Sequence, residues 1–106
     1  MNILHLRSSG GLYGAEQVIL NLSRELNNLG SLNHILCLNN QKNPHTELVE
    51  EAQRRGLKAQ AIETRGAFDV QAIDQIRAFI KAEEIDVIHC HDYKACVFGL
   101  SASKSF

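Results

Sequence analysis

Tryptophan is absent from this chain, and proline occurs once, at Pro44. A proline-rich linker or extended recognition segment is therefore excluded. Cysteine is scarce too. Cys37, Cys90 and Cys96 are odd in number and lack CxxC spacing, so neither a disulfide framework nor a cysteine-based zinc module is expected. A reduced, cytoplasmic protein is the simplest reading of that usage. No apolar run approaches the ~20 residues of a membrane span. Arg7 closes the first apolar segment too early for a signal peptide. Charge of one sign is missing as well: the net charge is −1 with no block of like residues, which argues against a general nucleic-acid binder.

What is present suits a folded domain. The 106 residues are 44% hydrophobic and 22% charged, with no linker, repeat or low-complexity segment, so a single domain over residues 1–106 is expected. Strand and helix signals alternate four times. Residues 3–7 are short, apolar and ended by serine and glycine, as a strand would be. Residues 15–29 form an amphipathic helix whose core stripe is Ala15, Val18, Ile19, Leu22, Leu26 and Leu29, stopped by Gly30. Residues 34–38 give the second strand. Asn43 is placed to cap a second helix with Pro44 at its first position and Gly56 at its end. Inside it, Glu50/Arg54 and Glu51/Arg55 have the spacing of stabilising surface pairs. Residues 58–62 are a weaker third strand. Residues 69–83 are a helix with Val70, Ile73, Ile76, Phe79 and Ile80 inward, 86–89 a fourth strand and 94–103 a fourth helix.

This alternation with short connections predicts an α/β fold: a Rossmann-like three-layer α/β/α domain with a four-stranded parallel sheet of order 3-2-1-4. The winding reverses between strands 1 and 4, where the following loops splay apart and leave a crevice. The loop Gly10–Gly14 is thereby expected to face His91, Asp92, Tyr93 and Lys94.

In SSGGLYGAEQ, the glycines Gly10, Gly11 and Gly14 precede a helix. Glycine lets a ligand come close to the main chain, and the helix behind it offers free N–H groups and a partial positive charge. A tight turn with no ligand accounts for the same residues. The pattern GGxxG is not the dinucleotide fingerprint, and the second strand ends in Leu38-Asn39-Asn40 without a carboxylate, which disfavours a nicotinamide cofactor. The lysine and serine or threonine of a phosphate loop do not follow Gly14 either.

VIHCHDYKA carries the densest polar chemistry. His89 and His91 share one side of a strand, with Cys90 on the other. Joined with Cys37 or Cys90 they lack a third ligand nearby, so no metal site is expected. His89 is expected to be a hydrogen-bonded core histidine and His5 a structural one, while His34 and His45 are expected at exposed or edge positions. His91 and Asp92 fall at the carboxyl edge where α/β ligands bind. Asp92 equally suits a helix cap. Lys94 can reach a phosphate or stand in solvent, and Tyr93 can pack over the crevice or shield the edge. Glu16 suits the helix dipole with no ligand at all, and can also accept a sugar hydroxyl.

MNILHLRSSGGLYGAEQVILNLSRELNNLG followed by DVIHCHDYKA resembles the N-terminal domain of family 4 glycosyltransferases, retaining enzymes of the two-domain GT-B type. The resemblance covers essentially the whole chain. It implies transfer of a sugar from a nucleotide-sugar donor, a UDP- or GDP-sugar, to a glycan or lipid-linked acceptor, without a separate cofactor. It implies work on the cytoplasmic side, in some members peripheral to the inner face of the membrane. Carried onto this chain, Gly10, Gly11 and Gly14 become the donor- or acceptor-facing loop, with Glu16, His91 and Asp92 as further contacts and no catalytic residue assigned.

The family's fifth strand, a later histidine and the nucleotide-holding C-terminal domain do not occur within these 106 residues. The expectation is a truncated transferase that alone transfers nothing. Its fourth strand would be an open sheet edge, suited to homo-association. A non-catalytic sugar- or phosphate-binding or assembly module, and a nucleotide-binding enzyme of another type, remain the alternatives.

Overall fold

The computed structural model describes residues 1–8, 11–65 and 69–103, the side chain of Tyr93 excepted. Eight elements follow one another: β1 Asn2–Arg7, α1 Gly14–Asn28, β2 Leu32–Asn40, α2 Glu47–Arg54, β3 Lys58–Thr64, α3 Val70–Ala82, β4 Val87–Cys90 and α4 Tyr93–Ser103. The four strands form one parallel sheet in the order β3-β2-β1-β4. This is the Rossmann-like α/β arrangement that the alternation predicts. Its switch point lies between β1 and β4.

Alternation along the strands divides the interior in two. Leu4, Leu6, Leu36, Leu38 and Ile62 face α3 and α4, where Phe98 is fully buried among Ile73, Ile76 and Ile80. On the opposite face Ile35 and Cys37 pack against Ile19 and Leu20 of α1 and Leu48, Val49 and Ala52 of α2. Burial pushes the Cys37 thiol up to about 12, so it stays protonated.

Helix ends explain the short connections. Gly30 and Gly56 adopt φ of +97° and +78°, the conformation that lets a chain leave a helix and re-enter the sheet. After α2, the Gly56 N–H returns to Gln53 O and the Leu57 N–H to Ala52 O, at 3.0 and 2.9 Å. Asp69 caps α3 by accepting from the Ala72 N–H at 3.2 Å. Asn2 ties the bottom of β1 to the start of β4: its N–H donates to Asp86 Oδ2 at 2.8 Å and its amide to Glu83 O at 2.8 Å.

Several local expectations are corrected. The α2 helix begins at Glu47 with Thr46 as its N-cap, so Asn43 does not cap it and Pro44 is not its first residue. A turn from Asn40 O to the Asn43 N–H, and an Asn39 Oδ1 bond to the His45 N–H, hold this stretch as a loop. The buried stripe of α1 is Glu16, Ile19, Leu20 and Ser23, whereas Val18 and Leu29 are 59% and 82% exposed. The stripe is rotated because a carboxylate, rather than Ala15, anchors the first turn. In α3, Val70 faces solvent while Ala72 takes an inward place. Of the two expected surface pairs in α2, Glu51/Arg55 forms, whereas Arg54 also binds Glu51 and Glu50 accepts instead from the Thr46 hydroxyl.

Candidate functional site

The carboxyl ends of β1 and β4 are joined by one cation. Arg7, the last residue of β1, donates from Nε to Glu16 Oε2 at 2.9 Å, and its Nη2 lies 2.8 Å from the same oxygen. Its Nη1 donates to His91 O at 3.2 Å and to Asp92 Oδ2 at 3.3 Å. Glu16 is fully buried in the first turn of α1, and its other oxygen accepts from the Tyr13 N–H at 3.0 Å. The Glu16 carboxylate therefore closes the N-terminus of α1 and anchors Arg7 together, with both oxygens engaged.

Asp92 mirrors this on the other side of the crevice. Its Oδ1 accepts from the Ala95 N–H at 2.9 Å, which caps α4, and its Oδ2 accepts from the Ser8 N–H at 2.8 Å. Burial pushes this carboxyl up, but the donors at Ser8 and Ala95, with Arg7 behind them, more than offset that and leave it below the usual range. Asp92 is thus ionised at neutral pH and serves as a cap and a clamp on the loop after β1.

Behind the clamp lies a relay of neutral side chains. Asn27 Oδ1 accepts from the Asn33 backbone N–H at 3.0 Å and from Asn33 Nδ2 at 2.9 Å. Since a backbone N–H can only donate, this fixes the Asn33 amide with Oδ1 toward His5 Nε2, 2.9 Å away. His5 consequently carries its proton on Nε2 and offers Nδ1 as an acceptor to His91 Nε2 at 3.0 Å. Burial, with His89, His5 and Arg7 nearby and Asp92 opposing, lowers His91 to about 4, so it is neutral at pH 7.

The residues singled out in the sequence fall in different places. Gly11, Gly14, Glu16, His91 and Asp92 come together around the crevice; Gly10 and the Tyr93 side chain lie outside the described residues. Gly11 is buried, and a Cβ there would stand 2.6 Å from the Tyr13 ring. Gly14 is exposed, with nothing within 4 Å of its Cβ position. Lys94 turns toward β3, its Nζ 3.4 Å from Thr64 Oγ1 and 5.7 Å from the Phe98 ring centre. There it lines a polar cavity of about 260 Å³ with Ser8, Leu38, Asn39, Asn40, Asn43 and His45.

Two histidine expectations are reversed. His34 is buried, not at an exposed edge, and packs edge-on against Phe79 at 5.2 Å. His89 is exposed on β4 and stacks against His91 at 3.9 Å, so it is not a core residue. Arg7, Asn33 and the asparagine-rich cavity join the residues expected from the sequence. The run Leu38-Asn39-Asn40 at the end of the second strand was the available signal for the cavity.

The fold has counterparts among known proteins. The chain superposes on Anabaena HepE solved with UDP and glucose, with a TM-score of 0.73 at 18% identity over 97% of this chain and 26% of that one. A glycosyltransferase from Rickettsia africae gives 0.73 at 19% identity, covering 99% and 27%. MurG of Acinetobacter baumannii gives 0.70 at 16%, covering 95% and 31%. The chain thus spans between a quarter and a third of the length of these structures, and at such identities the likeness shows the fold. No curated protein matches the chain. The sequence profile described as Glycosyltransferase Family 4 matches residues 13–105, nearly the whole chain, and the chain belongs to that family.

Proposed function

We propose that this chain is the acceptor-side domain of a retaining GT-B glycosyltransferase that moves a sugar from a UDP- or GDP-sugar to a glycan or lipid-linked acceptor. The observation that carries the reading is the Arg7 bridge at the switch point. It ties the first turn of α1 to the start of α4 across the switch point, and Gly14, the first residue of α1, has open space at its Cβ position. Ligands of open α/β sheets enter at such a point, and helix N-termini favour phosphate. The HepE likeness, a structure holding UDP and glucose, supports the nucleotide-sugar class.

In this reading Gly10, Gly11 and Gly14 form the approach for the donor diphosphate, His91 serves the sugar or acceptor, and Lys94 serves it from the adjoining asparagine-lined cavity. Glu16 and Asp92 act by position, since their oxygens are taken by Arg7 and by backbone N–H groups. In two-domain enzymes of this family type the bulk of the donor contacts are assigned to the other domain, so weak donor binding is expected of residues 1–106. The open edge of β4 is where a further strand, of this chain or a partner, adds. No helix among the described residues is long and apolar enough to cross a membrane, and the work is assigned to the cytoplasmic side.

Amide chemical shifts followed by NMR test the reading. Titration with UDP-glucose and with GDP-mannose is expected to move residues 8, 11–16 and 91–95 with millimolar affinity, while NAD moves none of them. Silence toward both nucleotide sugars, or shifts confined to the opposite end of the sheet, would contradict it.

A further inference from the structure

Three imidazoles from two strands meet on one face of the sheet. His5 and His89 are direct partners in the register of β1 and β4, and His91 follows two residues along the same side. A nitrogen of each lies within 4.8 Å of the other two. Along the sequence, His89 and His91 with a cysteine make an incomplete set. Its missing third ligand is His5, which lies 86 residues from His91 along the chain. Cys90 takes no part, since it packs on the opposite face against the α3 and α4 core.

We propose that His5, His89 and His91 bind a divalent transition-metal ion of the zinc type. His5 is prepared for this. The Asn27–Asn33 pair holds its proton on Nε2, so the Nδ1 lone pair points into the cluster. A ligating histidine characteristically donates its other N–H to a carbonyl oxygen, which fixes ring orientation and raises basicity. His91 presents Nε2 toward the same point, 3.0 Å from His5 Nδ1. Two nitrogens on a tetrahedral zinc stand about 3.3 Å apart at ordinary bond lengths, so this pair already has nearly the required spacing. His89 supplies the adjustable ligand, being exposed on the edge strand.

Binding replaces the His5–His91 hydrogen bond, and the His91 proton moves from Nε2 to Nδ1 of the same ring, with no net proton release. Three imidazoles without a carboxylate or thiolate suit zinc, cobalt or copper and not magnesium or calcium. The exposed side at His89 leaves a fourth position for water or a ligand oxygen. The ion would fasten β4 to β1 beside the crevice. This site shares His91 with the nucleotide-sugar reading but does not rest on it, since its test reads metal uptake and not sugar binding.

Cobalt(II) titration of the chelator-treated chain near neutral pH tests the site. The expected result is one cobalt per chain, with the intense visible absorption of a tetrahedral ion, displaced by zinc, and a higher Tm with zinc bound. His89→Gln, on the exposed edge, is expected to keep the fold by circular dichroism and weaken uptake at least tenfold. His45→Gln, at an exposed histidine beside Glu47, is expected to leave it unchanged. Absence of a tetrahedral spectrum and of a zinc-dependent Tm shift would overturn the proposal, as would cobalt binding that survives both His89→Gln and His91→Gln.

Discussion

Arg7 and Glu16 form a largely buried ion pair, with guanidinium nitrogens 2.9 and 2.8 Å from one carboxylate oxygen. The pair connects the last residue of β1 to the first turn of α1 and so sets the shape of the loop between them. Removing one member of such a pair leaves the other buried without a partner, which costs more than the pair itself contributes. Arg7→Met is therefore expected to lose about 3 kcal/mol in urea unfolding. The double variant Arg7→Met/Glu16→Leu is expected to be more stable than Arg7→Met alone. A double variant that is less stable would mean that the pair is not the dominant contact of Glu16.

Phe98 is the largest fully buried side chain among the described residues. It lies between α3 and the sheet. Phe98→Ala is expected to cost about 3–5 kcal/mol through lost transfer energy and the cavity left behind. Denaturant midpoints measure it directly, and a cost within experimental error would place the core elsewhere.

Glycine positions separate by backbone angle. Gly30 sits at φ +97°, where a side chain is strained whatever the space around it. Gly30→Ala is expected to destabilise the chain by about 1–2 kcal/mol. Gly14 has no such angle and no neighbour in reach, so Gly14→Leu is expected to leave the Tm unchanged or slightly raised. Thermal unfolding of the two variants side by side checks both expectations.

Histidines held neutral make the fold acid-sensitive. Burial lowers His34, with Glu83 opposing and Lys58 adding to the effect. A folded-state value below the unfolded 6.5 means that the unfolded chain binds more protons as pH falls. This stability is present above the unfolded value and is lost progressively below it. His5 and His91, both lowered chiefly by burial, act in the same direction. The urea midpoint is therefore expected to fall between about pH 7.5 and about pH 5. His34→Leu is expected to show a smaller fall, with the remainder due to the other two histidines. A midpoint that rises over this range would contradict the assignment.

Element order and sheet order were legible because periodicity switched seven times between strand and helix, and because Gly30 and Gly56 marked two helix exits. The start of α2 was not legible. Asn43-Pro44 carries a strong cap signal, yet side-chain bonds from Asn39 hold that loop open until Thr46. The clamp was only half visible. Glu16 and Asp92 stood out as acids at helix starts, but the direction of the Arg7 side chain between them is set by packing and not by element order. The histidine cluster was hidden too, since strand register alone brings His5 to His89 and His91.

On the proposed function, a nucleotide-sugar ligand enters the crevice at the N-terminus of α1. The most direct measurement is UDP-glucose binding by amide chemical shift to the wild-type chain and to Gly14→Leu, whose added side chain fills open space without disturbing the core. The expected result is weak, saturable binding to the wild type at residues 11–16 and 91–95, lost in the folded variant. Equal binding by both proteins would contradict the claim and move the ligand away from the glycine loop.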